Sequence, residues 1–367
     1  MCYNFFVLRL YQRYLMSEML VPFLGGVGIF AVILVGNLIF MLINPLAQRL
    51  ITLSDLWKLI FYKLPSFLTL SIPPAILFAS SLAVARVGRE GETTAMRMAG
   101  LPLRRIFLPF LYAGLLASIL SFFINEGFAP IGNRRAQRIL QMVWFGQTTP
   151  IPLERVFFQS DKYTFYIDRV EKLGDEVRLY NILVMEMQGN RFPNLYTSSW
   201  GECQRDSKVW NLYDGILHQL DDKGYVRQEV KFDKAELSLE RPFQDIWLTH
   251  KTPEEMSAKE LLKEIKTWQK SGVREIGTML MEYYCKFAIP FACLILALIA
   301  PPFAHRYARR GGSMGGFLIA ILLFFIYYNA YLLFRMLGAN HLLPPFIAAW
   351  APNIVFGAFG LYLYFKE

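Results

Sequence analysis

Three long uncharged apolar runs, a strand-patterned segment and three more apolar runs constrain this chain more than any other feature. The runs are Met19 to Ala47, Leu64 to Ala85, Ile106 to Asn125, Phe287 to Ala304, Gly311 to Phe334 and Leu342 to Phe365. A helix crosses a bilayer with about 20 mostly apolar residues, because nothing in lipid satisfies its backbone from outside. Six crossings are therefore expected. The fourth reaches full length only if Tyr283, Tyr284 and Lys286 lie at the interface, with the lysine snorkelling toward water. The second carries Pro65, Pro73 and Pro74, which predict a kink. Arg9 and Arg13 precede the first run, but its length and the lack of a small-residue cleavage site argue against a signal peptide.

Arginine and lysine in short loops set the orientation. Arg9 and Arg13 precede the first run; Arg86, Arg89, Arg97, Arg104 and Arg105 lie between the second and third; Arg306, Arg309 and Arg310 lie between the fourth and fifth; Lys366 comes after the sixth. The opposite connections hold mainly Arg49, Lys58 and Arg335. Both termini are expected in the cytoplasm and the segment from Glu126 to Leu280 outside it. This bias accounts for most of the net charge of +9, which therefore gives no reason to expect a nucleic-acid partner. Of Cys2, Cys203, Cys285 and Cys293, only Cys203 lies in the outer segment, so no intramolecular disulfide is expected there.

That segment reads as strands. Tyr163, Phe165 and Ile167 alternate with Thr164, Tyr166 and Asp168, and runs at Val209 to Leu220 and Tyr225 to Leu239 flank the turn Asp221-Asp-Lys-Gly224. Such a pattern predicts a sandwich or open roll. Ser257 with Glu260 forms a capping box opening a helix, Leu261, Leu262, Ile265 and Trp268 make its apolar stripe, and Gly272 stops it. The expected organisation is residues 1–125 as crossings one to three with a cytoplasmic helix near 88–100, residues 126–256 as the outer β domain, 257–280 as an amphipathic connection and 281–367 as crossings four to six.

Catalytic signatures are absent: there is no phosphate loop, His-Glu-x-x-His, Gly-x-Ser-x-Gly or Cys-x-x-Cys. His218, His250, His305 and His341 are scattered, and neither metal nor cofactor is expected. The apolar runs hold no Asp, Glu, Lys or Arg of the kind that ion-driven transporters place in lipid; Asn37, Asn329 and Asn353 suit hydrogen bonds between helices. Any transport would draw its energy from a partner. One loop points to such a partner. Glu90 to Ala99 has the length of two to three helical turns, Gly100 can end that helix, and Pro102 can start the next crossing. Ala95, Met96, Met98 and Ala99 offer a small apolar surface beside Glu92 and Arg97. Residue chemistry alone leaves open a docking helix or a charged connection.

The phrase Arg89-Glu-Gly-Glu-Thr-Thr-Ala-Met-Arg-Met-Ala-Gly100, after a proline-bearing second helix and before a third that exits through Glu126-Gly-Phe-Ala-Pro130, resembles the LptF/LptG permease family of the lipopolysaccharide exporter. The resemblance covers essentially the whole chain. It implies a polytopic α-helical membrane protein with six transmembrane helices and an inserted extracytoplasmic β-jellyroll. It also implies an inner-membrane location and a non-catalytic permease that extracts lipopolysaccharide and passes it through the jellyroll. The implied partners are a cytoplasmic LptB-like ABC ATPase dimer, a second LptF/LptG-type permease in a hetero- or homodimer, and periplasmic LptC/LptA-like bridge proteins. Arg89, Glu90, Glu92, Met96 and Arg97 become ATPase-coupling residues, with Glu92 at the acidic contact position. Arg134, Arg135 and Arg138 become a lipopolysaccharide-binding cluster, joined by Arg49, Lys58 and Lys63. A lateral gate falls between the first and fifth helices, at Gly25, Gly28, Phe324 and Tyr328. Two other readings stay open: a membrane-anchored scaffold or assembly factor without transport, and an ATP-driven exporter of another lipid.

Overall fold

The computed structural model describes residues 2–146, 153–160, 163–173, 176–186, 194–204, 207–220, 225–239, 252–270 and 277–366. They form two compact units, one built from 1–46, 52–137 and 252–367 and the other from 47–51 and 138–251. The Asp221 to Gly224 turn, His250 and Gly272 lie outside the described residues.

The first unit is helical and contains all six expected crossings. Helix α1 spans Cys2–Ala47 and α2 spans Leu53–Arg89. Thr52 caps α2 in a reciprocal box with Asp55, satisfying backbone donors that the first turn leaves unpaired. α2 stays helical through Pro65, Pro73 and Pro74. Prolines there remove the donors that would meet the carbonyls of Thr69 and Leu70 four residues earlier. A short helix α3, Glu92–Met98, precedes α4, Leu103–Phe123.

α4 does not stop at the membrane edge. It runs through a π-helical turn at Ile124–Phe128 into α5, Ala129–Gly146. A π turn adds a residue to the helical repeat and so rotates the helix beyond it. After the β segment, a 3-10 turn at Pro253–Glu255 leads to α6, Ala258–Lys270, then to α7, Gly277–Ala339, and α8, Pro345–Lys366. The Ser257 and Glu260 box forms as expected, with Ser257 N–H on Glu260 at 3.0 Å and Glu260 N–H on Ser257 Oγ at 3.3 Å. Leu261, Ile265 and Trp268 are buried, and Leu262 is half-buried.

α7 holds two crossings in one helical run, Gly277–Arg306 and Phe317–Ala339. It must double back, since Arg335 pairs with Glu282 and Tyr331 OH lies 3.8 Å from Cys285 Sγ. The core of the helical unit gathers Leu15 and Met19 of α1, Leu77 and Ala79 of α2, Phe107 and Phe110 of α4, and Cys293, Ala297 and Ile299 of α7. Small residues set the closest approaches: a Cβ on Gly114 would lie 2.4 Å from that of Ala297. Inside the bundle Tyr327 donates to Asn353 Oδ1 at 2.9 Å, and Asn353 donates to the Ala288 carbonyl at 2.8 Å. Asn353 thus does what the sequence suggested.

The second unit carries one antiparallel sheet of six strands in sequential order. They are β1 Leu153–Ser160, β2 Tyr163–Leu173, β3 Glu176–Glu186, β4 Asn194–Gln204, β5 Val209–Leu220 and β6 Val226–Ser238. Phe165, Ile167, Leu179, Ile182, Val184, Trp210 and Leu212 build its core. A crease crosses the strands. Pairing skips Asp168 opposite Asn181, Asn181 opposite Ser199 and Ser199 opposite Asp214, and Asn181 and Asp214 take left-handed backbone at φ 51 and 49. Each strand spends an extra residue there, so its inward positions change phase: β3 buries Val177 and Leu179, then Ile182 and Val184. Irregularities of this kind bend and twist a sheet. Cys203 is buried in this core, and desolvation pushes its thiol up to about 12.

Candidate functional site

Two glycines make the elbow between α2 and α4. Gly91 sits at φ 78 and Gly100 at φ 87, conformations that a side chain would strain. Gly100 closes a Schellman motif, its N–H on the Arg97 carbonyl at 2.9 Å and that of Leu101 on the Met96 carbonyl at 3.1 Å. The helix is therefore Glu92–Met98, shorter than the Glu90 to Ala99 stretch expected from sequence. Glu90 caps α2 instead, and Pro102 stands just outside α4 rather than in its first turn.

The coupling candidates divide. Arg89, Glu90 and Arg97 are exposed. Glu90 pairs with Arg86 at 3.1 Å, and Arg86 reaches Glu18 of α1 at 2.5 Å. Met96 packs on the helical core, while Met98 is 85% exposed and supplies the apolar surface. Glu92 turns inward: Tyr14 OH of α1 donates to its Oε1 at 3.1 Å, and Oε2 is buried with no hydrogen-bond partner among the described residues. The same end is tied further by Tyr11 OH on the Arg105 carbonyl at 2.9 Å and Tyr364 OH on the Arg104 carbonyl at 2.5 Å. α3 thus sits beside hydrogen bonds that join α1, α4 and α8 at the same end. Tyr14 carries no signal in the sequence.

Gly25 and Gly28 do not face Phe324 and Tyr328 closely. Both glycines are exposed, with nothing within 4 Å of an added Cβ, and it is Gly26 that approaches Ala75 of α2. Contact between α1 and the second limb of α7 is aromatic: Phe30 meets Phe324 at 5.4 Å, and Phe324 stacks on Tyr328 at 5.6 Å. Behind this contact lies a cavity of about 250 Å³ lined by Phe30, Leu34, Pro73, Pro74 and Phe324.

A second cavity, of about 240 Å³, has mostly apolar walls but gathers the charged and polar side chains of Lys63, Asn125, Glu254, Glu282, Lys286 and Arg335 in its lining. The two share Leu70, Ile289 and Tyr331. The π turn shapes its wall. Asn125 donates to the Lys286 carbonyl at 3.1 Å, and both Glu126 oxygens accept the Ala258 N–H at 2.9 Å, at the start of α6, where a carboxylate complements the helix dipole. Lys286 does not snorkel: it is 8% exposed.

The basic residues expected to bind lipopolysaccharide have different immediate surroundings. Arg134 donates to the Glu255 carbonyl at 2.8 Å and pairs with Glu260. Arg135 is exposed with its guanidinium over the Tyr62 ring at 5.7 Å, and Arg138 is exposed. Lys58 pairs with Asp55 at 3.3 Å, Lys63 approaches Glu254 at 3.9 Å, and Arg49 is exposed with left-handed backbone at φ 57. Neither Lys286 nor Glu126 stands out as a site residue in the sequence, although Glu126 opens the exit phrase after the third crossing.

Six helices long and apolar enough to cross a membrane mark a multi-pass membrane protein. The family model described as "Lipopolysaccharide export system permease LptF/LptG" matches residues 13–366, and the chain belongs to that family. It is accordingly a multi-pass inner-membrane protein and a non-catalytic transporter subunit. A comparison with curated proteins gave no match.

Proposed function

We propose that this chain is the permease half of an ATP-driven exporter that lifts lipopolysaccharide out of the inner membrane and passes its acyl chains into the β domain. A separate LptB-like ABC ATPase dimer supplies the energy from the cytoplasm, where both termini lie. A second LptF/LptG-type permease completes the passage, and LptC/LptA-like proteins receive the lipid. The creased sheet is the family's jellyroll, and Arg135 and Arg138 meet the phosphates of the lipid, because arginine forks match phosphate geometry.

The observation that carries this reading is the elbow. A seven-residue helix held between left-handed glycines presents Arg97 and Met98 outward while Glu92 accepts a hydrogen bond from Tyr14 of α1. That is the arrangement a motor-driven permease requires: an exposed docking surface whose displacement moves a transmembrane helix.

The test is co-purification of the ATPase with the permease. Met98→Glu and Glu92→Lys should each release most of the bound ATPase; retention at the wild-type level in both would count against the coupling assignment. Photocrosslinkers along α1 and Phe317–Ala339 should capture lipopolysaccharide during ATP turnover. Capture of a different lipid there would point to another cargo.

A further inference from the structure

Lys286 is the most exceptional charged group of the helical unit. It is only 8% exposed and lines the 240 Å³ cavity, where charged groups are set into mostly apolar walls. Among the described residues its ammonium makes no hydrogen bond and no ion pair within 4 Å. The carboxylates that share the cavity are engaged elsewhere, Glu254 near Lys63 and Glu282 with Arg335. Two carboxylates outside the lining, Glu126 and Glu260, also act on Lys286 through their charge; Glu126 keeps its charge while accepting the Ala258 N–H on both oxygens, and Glu260 is paired with Arg134. The lining therefore holds three cations, Lys63, Lys286 and Arg335, against two carboxylates, Glu254 and Glu282. A buried charge without a partner is costly, and buried cations in membrane proteins mark ion or ligand sites.

We propose that this cavity is a binding site for a phosphate-type anion, anchored by Lys286 and contained within one protomer between α2, the π turn and the start of α5, the 3-10 turn at Pro253–Glu255 and α7. Lys63 and Arg335 stand at its wall, and the amides of Asn125 and Asn133 are fixed by the Lys286 and Glu254 carbonyls, at 3.1 and 3.0 Å, so the wall is preset. Room is ample, since one water needs about 10–15 Å³. The adjoining apolar cavity shares Leu70, Ile289 and Tyr331 with it and suits an acyl chain. An anionic amphiphile fits both halves; a free phosphate fits the polar half alone. The inference needs only that these helices lie in a bilayer, so it stands or falls separately from the ATPase and the exported lipid.

The test uses the purified permease complex in phosphatidylcholine nanodiscs with a photoactivatable radiolabelled phosphatidylglycerol. Wild type should capture the probe on the Gly277–Ile289 stretch, Lys286→Arg should retain it, and Lys286→Gln should capture at least tenfold less. Unlabelled phosphatidylglycerol should displace it and added phosphatidylcholine should not. Displacement by millimolar potassium phosphate would support the anion site with a soluble source. Equal capture by Lys286→Gln, or equal displacement by phosphatidylcholine, overturns the proposal. Where Lys286→Gln fails to accumulate, Lys63→Gln decides: a severalfold loss supports the site, and unchanged capture overturns it.

Discussion

Helices α1 and α2 are both long and apolar enough to cross a membrane, yet they are used in opposite ways. In the most apolar stretch of α2, 72% of residues are buried in the protein; in that of α1 the share is 11%, although α1 has the higher mean hydropathy, 2.6 against 1.8. The two limbs of α7 repeat the contrast, 72% for Gly277–Arg306 and 17% for Phe317–Ala339. In lipid, apolarity reports the solvent rather than the packing, because acyl chains are as greasy as leucine. What marks the packed helices is small side chains. α2 buries Ala75, Ala79, Ser80, Ser81 and Ala83, and the first limb of α7 buries Ala292, Ala297 and Ala300. The loosely packed pair flanks the apolar cavity and leaves Val32, Phe40, Leu322 and Phe325 exposed.

The contrast is breakable, and the strongest blow falls on a helix contact. Gly114→Leu places a side chain where a Cβ already lies 2.4 Å from Ala297 and 3.2 Å from the Cys293 carbonyl. A leucine forced against backbone at that distance exceeds the about 1–3 kcal/mol of ordinary overpacking, and the bundle should fail to accumulate as monodisperse protein. Next, Phe110→Ala should cost about 3–5 kcal/mol because that ring is fully buried. Phe40→Ala on α1, 76% exposed, should stay within about 0.5 kcal/mol. Thermal unfolding of both in one detergent checks the pair; equal losses would erase the distinction between the helices. The smallest effect is expected from Gly28→Leu, where nothing lies within 4 Å. Its melting temperature should match wild type, and a shift comparable to that of Phe110→Ala would mean that α1 is packed after all.

Much of this architecture was legible because long apolar runs and alternation are local signals. The six crossings, the β5 and β6 pairing and the Ser257 cap each arise from neighbouring residues. The rest depends on distant partners. Glu92 reads as a surface carboxylate until Tyr14, far away in sequence, supplies its hydrogen bond. Arg134 reads as one of three basic residues until the Glu255 carbonyl and Glu260 take it. Lys286 sits at the end of an apolar run, where lysines ordinarily snorkel; only the return of α7 and the π turn at Asn125 enclose it. The crease was hidden for another reason: Asn181 and Asp214, residue types that strands disfavour and left-handed backbone tolerates, sit inside long strands whose bend shows only where the backbone adopts φ 51 and 49.

The elbow helix also has the mechanics of a short lever. Seven residues at about 1.5 Å each give an arm of roughly 10 Å, with Met96 and Leu101 as its seat in the core and left-handed glycines at its ends. Under the proposed coupling, an arm that short would turn a push at Met98 into a displacement of only a few ångströms at Tyr14.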